Sequence, residues 1–306
     1  MEVYVPKKEE KLVGEGLVDL ESLPTLSAYP GKSINTIERR DILDFGDEGF
    51  LLDNALSQEE CKYYIDKAER MGLGPIHEAN HSYRNSDRIM VRSPGLSEAL
   101  FNRIKPYLTD IKICGDPKKK HITGIGFLLQ GTWSPVGLND AFRICRYYPG
   151  GHFAPHFDGH FVKDSNERSM VTLMLYLNGG FEGGPTNFVN EKQPLFKDEQ
   201  GRYVAEEKNI LYRVQPEAGL AIIFNHHRLH EGGALLKGVK YILRTDIMYR
   251  RNEAMVLTPK DEQGLQLMQE AERLEGARDE QKAAELYRKA FKLSPMLEDY
   301  YNTGST

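Results

Sequence analysis

The sequence predicts an α+β protein: a strand-rich sandwich or jelly-roll core, helices ahead of it and a helical hairpin behind it. Three observations lead there. Between Ser169 and Tyr249, apolar and β-branched runs alternate with glycine, proline and asparagine, the punctuation of an antiparallel sandwich rather than an α/β sheet. Upstream, two segments repeat their apolar residues at helical spacing. Downstream, between Asp261 and Pro295, the composition shifts to Glu, Gln, Lys, Ala and Leu, which favour helix.

Residues 1–45 are mixed in character, with turn formers at Pro24, Pro30 and Gly31, and read as an N-terminal arm. The folded part, 46–253, opens on a short strand at Phe50-Leu51-Leu52. Ser57-Gln-Glu-Glu60 is a capping box, and Cys61, Tyr64, Ile65, Ala68 and Met71 form one helical stripe that Gly72 ends. A second stripe carries Leu96, Leu100, Ile104 and Leu108. Between the two, Tyr83–Arg88 is polar, and either lines a substrate mouth or is an exposed loop. Gly131–Asn139, with the only tryptophan, Trp133, reads as a loop able to cover a substrate. Strands follow at Ser169–Leu177, in the turn-rich Glu182–Phe188, at the end of Val214–Phe224 and at Lys240–Tyr249. The charged, non-periodic span Asn190–Tyr212 reads as an insertion loop and a candidate lid.

The chemistry is concentrated in His156-Phe157-Asp158 and His230. Alternation on a strand turns His156 and Asp158 to one side and Phe157 into the packing, where Tyr147 and Phe153 are also expected. A histidine arriving from a distant strand completes a 2-His-1-carboxylate face with open coordination positions, the arrangement of non-haem Fe(II) oxygenases. His226 and His227 compete with His230 for the third position. They directly follow the Ile222-Ile223-Phe224 strand and read as loop. His152 and His160 read as supporting or solvated residues.

The ordered set Tyr148-Pro-Gly150, His156-x-Asp158, Tyr176-Leu-Asn178, Glu182-Gly-Gly184, His230-Glu-Gly-Gly233 and Lys240-Tyr resembles the 2-oxoglutarate/Fe(II) dioxygenases of the prolyl and lysyl hydroxylase type. The resemblance covers roughly residues 46–250 and implies a double-stranded β-helix core. It implies His156, Asp158 and His230 as iron ligands, with 2-oxoglutarate and O2 as co-substrates and ascorbate as an accessory reductant. Lys240, ten residues beyond His230, matches the cation for the far carboxylate of 2-oxoglutarate. A buried carboxylate needs such a partner. Arg244 shares the strand face of Lys240 by alternation and competes for that role. Tyr176 matches a co-substrate hydrogen-bond donor, Tyr148 the tyrosine of the Tyr-Pro-Gly turn, and Arg146, on the same face as Tyr148, is expected to project into the pocket. The implied reaction hydroxylates a C–H bond and releases succinate and CO2. A protein prolyl or lysyl side chain is the first expectation for substrate. A small molecule or nucleobase is the second, and a non-catalytic iron/2-oxoglutarate-sensing module the third. Asp158 argues against a halogenating variant, which needs a small residue there.

The remaining features narrow the setting. A net charge of −5 with interspersed signs gives no electrostatic case for nucleic acid, and Lys118-Lys119-Lys120 reads as a solvated loop. Gly124-x-Gly126 lacks the rest of a dinucleotide fingerprint. The start lacks a signal-peptide apolar stretch and no run reaches membrane-spanning length, so a cytoplasmic or nuclear location is expected. Cys61, Cys114 and Cys145 form no metal motif and suit a reducing compartment. Residues 258–296 form the expected hairpin, followed by a tail at 297–306. Ala271, Leu274, Ala283, Tyr287, Ala290 and Pro295 match tetratricopeptide spacing, although Arg278 and Glu280 depart from it. A single repeat cannot bury a core alone, so the hairpin docks on its own domain, on another copy or on a protein partner.

Overall fold

The computed structural model describes residues 18–19, 36–76, 81–113, 129–194, 196–254, 256–276, 280–295 and 297–298. Most of the N-terminal arm, Cys114, the Lys118-Lys119-Lys120 run, Gly124-x-Gly126, Arg278 and the tail beyond 298 lie outside these residues. The chain forms two compact units, one of residues 1–109, 135–161 and 169–248, the other of 110–134, 162–168 and 249–306.

The first unit is a sandwich of two sheets, antiparallel except for the edge strand Val18–Asp19, which pairs in parallel with Asp87–Arg92. Its elements are β1 (Glu38–Asp41), β2 (Gly49–Asp53), α1 (Gln58–Met71), β3 (Asp87–Arg92), α2 (Pro94–Ile104), β4 (Ala141–Tyr147), β5 (His152–His156), β6 (Glu167–Tyr176), β7 (Thr186–Val189), β8 (Ile210–Val214), β9 (Ala221–Asn225), β10 (His230–Gly232) and β11 (Lys240–Arg251). The larger sheet runs β3-β4-β11-β6-β9-β2-β1, and the smaller runs β8-β7-β10-β5 with Arg84–Asn85 at its edge. Their inner faces meet in one core, where Met174, Tyr176, Ile222 and Phe224 of the larger sheet pack with Phe188 and Val214 of the smaller. The central strand β6 is buried from Ser169 to Tyr176. Such a continuous apolar run is what a strand covered on both faces requires.

Local chemistry sets the helix ends. In α1 the Ser57 hydroxyl accepts from the Glu60 amide (3.1 Å), and Glu60 Oε2 accepts from the Ser57 amide (2.7 Å), completing the capping box. Gly72 ends the helix at φ +89°, its N–H bonded to the Ala68 carbonyl. The Cys61 thiol, 3.8 Å from the Tyr176 carbonyl, ties α1 to β6. Gly219 is compulsory: at φ +87°, a Cβ would stand 2.2 Å from the Leu56 carbonyl oxygen. The second helix stops at Ile104, and Lys105–Tyr107 continues as a 3-10 turn, shorter than the stripe to Leu108 implied.

Glu60 joins the two helices. Both its oxygens take Arg103 nitrogens of α2 at 2.9 Å, with the side chains only 7% and 13% exposed. Removing one member of a buried pair strands the other charge. Glu60→Ala is therefore expected to cost about 3 to 5 kcal/mol, against about 1 kcal/mol for Ser57→Ala, which loses only the cap. Urea unfolding of the metal-free variants checks the ranking, which equal midpoints would refute.

In the second unit, Trp133 lies fully buried in the strand Gly131–Leu138 and is registered opposite Ile111. Its indole N–H donates to the Leu129 carbonyl (2.8 Å), and the Arg251 guanidinium stacks over the ring at 4.3 Å. The expected substrate-covering loop is thus corrected to a core strand. A ring of this size gains more from burial with its N–H satisfied than from exposure. Helices α3 (Pro259–Gly276) and α4 (Glu280–Leu293) pack through Met268, Ala290 and Leu297. Gly264 permits the approach, since a Cβ there would lie 2.9 Å from Leu297 Cδ1. No helix among the described residues is long and apolar enough to cross a membrane.

The span expected as an insertion loop also carries order. Phe196–Lys197 pairs with Tyr203–Val204, and Ile210–Val214 is a strand of the smaller sheet. Side chains supply the anchors that periodicity could not reveal: Ala205 N–H donates to the buried Glu231 carboxylate (2.7 Å).

Candidate metal centre and co-substrate pocket

Strands β5 and β10 are antiparallel neighbours with His156 registered directly opposite His230. Cross-strand partners project to the same side, and the two imidazoles stand with ring centroids 4.3 Å apart. A register shift between Phe153 and His156 marks a bulge where β5 bends toward its end. Beyond it Asp158 is held by backbone and side chain: its N–H donates to the His226 carbonyl (3.0 Å), and Thr172 Oγ1 donates to its Oδ2 (2.6 Å). Because the strand stops at His156, Phe157 turns outward and is 50% exposed, not packed inside. The other carboxylate oxygen, Oδ1, lies 3.4 Å from His156 Nε2 and 3.7 Å from His230 Nε2.

The protonation pattern suits a metal. His156 Nδ1–H donates to the Ala154 carbonyl (2.7 Å) and His230 Nδ1–H to the Arg228 carbonyl (2.9 Å), which leaves both Nε2 lone pairs facing Asp158. Burial pushes the His230 pKa down to about 3, keeping that ring neutral. Burial alone would raise the Asp158 pKa. Arg244, with Nη2 2.7 Å from Oδ1, and the two histidines outweigh it and hold the carboxyl ionised, well below its usual range. The ligand atoms of all three residues fall within 4.8 Å of one another. His156 Nε2 is buried without a hydrogen-bond partner, while Asp158 Oδ1 is met by the Arg244 ion pair at 2.7 Å. An orphaned lone pair is costly, and a divalent ion fits the donor set.

Beside the cluster, the sheet face that carries the pocket wall runs in rows across β3, β4 and β11. Met90, Arg143 and Arg244 form one row, Arg88, Cys145 and Ile242 the next, and Tyr147 and Lys240 the last. Lys240 is buried, donates to the Gly184 carbonyl (2.6 Å) and stands 5.3 Å from the ring centres of both Tyr147 and Tyr176. Burial pushes its pKa down to about 7. The Tyr176 hydroxyl donates to Thr186 Oγ1 (2.6 Å), and burial holds both tyrosines in the protonated form, Tyr147 at about 12.

Several expectations are corrected here. Arg146 does not enter the pocket: it pairs with Asp87 (2.6 Å) and Glu69 (2.8 Å) and covers the Tyr148 ring at 5.0 Å. Tyr148 stays off the pocket with it, while Tyr147, expected in the core, lines it together with Arg143 and Cys145. Phe142 and Ile144 take the opposite, fully buried face of β4. His226 and His227 lie in the turn after β9, as expected, and His226 is buried with Nε2 3.6 Å from Asp246, its ring away from the cluster. His152 is buried and donates to the Ser82 carbonyl, whereas His160 is exposed. Sequence reasoning also missed Thr186 and Phe153. The Phe153 ring stacks on His156 at 3.6 Å.

A two-histidine, one-carboxylate cluster between the two sheets, beside a buried lysine, defines the class: a non-haem iron oxygenase. Residues 142–245 match the 2OG-Fe(II) oxygenase superfamily, and the chain is a 2-oxoglutarate-dependent dioxygenase whose domain takes Fe(II), 2-oxoglutarate and O2. Among curated proteins it is similar to "Probable prolyl 4-hydroxylase 3" of Arabidopsis thaliana, 23% identical over 215 residues, 66% of this chain and 69% of that one. It is likewise similar to "Probable prolyl 4-hydroxylase 10" of the same plant, 24% identical over 202 residues, 61% and 64% of the two chains. Among solved structures, the viral collagen prolyl hydroxylase of Paramecium Bursaria Chlorella virus-1 in its 2OG complex matches with TM-score 0.40 and 22% identity, over 66% of this chain and 96% of that one.

Proposed function

We propose that this chain hydroxylates a prolyl side chain of a protein or peptide, with the unit of residues 1–109, 135–161 and 169–248 as a double-stranded β-helix. The carrying observation is the cluster of two imidazoles and an ionised carboxylate beside a buried lysine. His156, Asp158 and His230 hold iron, and iron bound there supplies the redox chemistry that couples 2-oxoglutarate decarboxylation to oxygen insertion. Lys240 takes the far carboxylate of 2-oxoglutarate, with Tyr176 and Thr186 as hydroxyl partners. Arg244 is engaged with Asp158, which favours Lys240 over it for that role. Phe153 and Phe224, packed on the histidines, exclude water from their inner faces. The relatives' names support a prolyl target. Helices α3 and α4 serve, in this reading, as a tetratricopeptide-like hairpin for a partner. Buried, unpaired Cys61 and Cys145 fit a reducing compartment.

The test is succinate release from 2-oxoglutarate by anaerobically Fe(II)-loaded protein on exposure to air, with and without prolyl peptides. Iron-dependent release stimulated by a prolyl peptide, with a hydroxylated product, is expected. Stimulation by no prolyl peptide, alongside iron-dependent release, would move the substrate to another class.

A further inference from the structure

The pocket holds more positive charge than its co-substrate needs. Lys240 serves one end of 2-oxoglutarate and the metal its other end, and Arg244 and Arg143 have Asp158 and Asp246 as partners at 2.7 and 3.4 Å. Arg84 and Arg88 have no carboxylate partner among the described residues. Arg84 lies over the Phe153 ring at 4.4 Å, the ring that stacks on His156, and it bonds to Ser86 Oγ (3.2 Å), Cys145 Sγ (3.4 Å) and the Tyr147 hydroxyl. Arg88 is registered opposite Cys145, a pocket-lining residue, and so shares its sheet face without itself lining the pocket. The two come from neighbouring segments of different sheets, Arg84 from the edge of the smaller and Arg88 from the larger, meeting at the corner where the chain crosses between them. Burial, with Arg84 and Arg143 nearby, lowers the Arg88 pKa. The one other carboxylate lining the pocket, Glu231, is spent on Asn187 and the Ala205 amide, both at 2.7 Å.

We propose that Arg84 and Arg88 form a second anion subsite that holds an acidic group of the substrate beside the metal cluster. On the prolyl reading above, on which this inference rests, that group is the carboxylate of an acidic residue next to the target proline. Planar guanidinium groups are suited to grip it in bidentate fashion. The same chemistry is offered by the carboxylate of free proline, and the experiment separates the two sources.

Binding is measured on the full-length protein by calorimetry, independently of turnover. The probes are proline peptides flanked by glutamate, glutamine or lysine, and free proline against prolinamide. The glutamate peptide is expected to bind about tenfold more tightly than the glutamine one, with lysine weakest. Arg84→Gln and Arg88→Gln should erase that preference while changing the glutamine peptide's affinity less than twofold. A preference for proline over prolinamide alone upholds the subsite and names a free acid as its ligand. Equal affinities within both sets, or preference for lysine, overturn it. Succinate release, followed in parallel, reports on the oxygenase reading by itself: its absence removes that reading, whereas its presence with charge-blind binding removes only the anion subsite.

Discussion

Alanine at Asp158 is expected to reduce iron-dependent succinate release to the metal-free background. The residue contributes twice. Its Oδ1 faces both Nε2 atoms, and its charge is the partner of Arg244. Removing it takes a ligand away and leaves a guanidinium beside two histidines, a local field that repels a divalent cation. Metal content after dialysis, read by atomic emission, should fall with activity. Asp158→Asn should fail similarly, because the amide keeps the shape but not the charge. Full metal content and turnover in either variant would remove Asp158 from the centre. The carboxylate also ties the fold to pH. Its folded pKa is depressed, so its stabilising contribution is present above the unfolded value and is lost as pH falls through the folded one.

The second large effect belongs to Lys240. Lys240→Met should weaken 2-oxoglutarate binding to Zn(II)-substituted protein by about a hundredfold or more, the scale of leaving a buried carboxylate unpaired. The pH dependence adds a sharper signature. With its pKa pushed by burial to about 7, Lys240 is roughly half neutral at neutral pH before the co-substrate arrives. A carboxylate selects the ammonium form, so binding should take up a proton. Affinity should fall about tenfold per pH unit above 7 until the raised pKa of the complex is reached. Calorimetry in buffers of different ionisation enthalpy measures the uptake, and Lys240→Met should abolish it. Binding that is flat from pH 6 to 8.5 in the unaltered protein would assign the carboxylate to another cation. The same depression predicts that the metal-free fold gains stability as pH rises from 7 toward the ordinary lysine range.

How far the sequence could be read depended on which physical rule governed each residue. Period-2 alternation and turn punctuation suffice for the sandwich strands, and the capping box for the start of α1, because these rules are local. The His156, Asp158 and His230 cluster and Lys240 were legible because a metal and a carboxylate each demand particular residue types at restricted spacing. The face of β4 was not. Arg143, Cys145 and Tyr147 alternate as plausibly with Phe142, Ile144 and Arg146 as the reverse, and only registry with β3 and β11 decides which set faces inward. Trp133 misled for a related reason: glycine and proline around it look like a loop, while its partner strand is distant in sequence. Phe157 failed because alternation was carried one residue past the end of β5.

The hydrogen bonds that fix the two imidazoles have a further consequence. Both rings are oriented by carbonyls two residues earlier in their own chain, at Ala154 and Arg228, and not by the ion they serve. The centre is therefore a socket, shaped before anything is plugged into it. Chelators should silence the enzyme while its unfolding temperature drops only by the mass-action term for a lost ligand, and restored Fe(II) should bring activity back without a refolding step. For an oxygenase whose metal is readily oxidised and lost, that makes inactivation a matter of exchange instead of turnover of the protein itself.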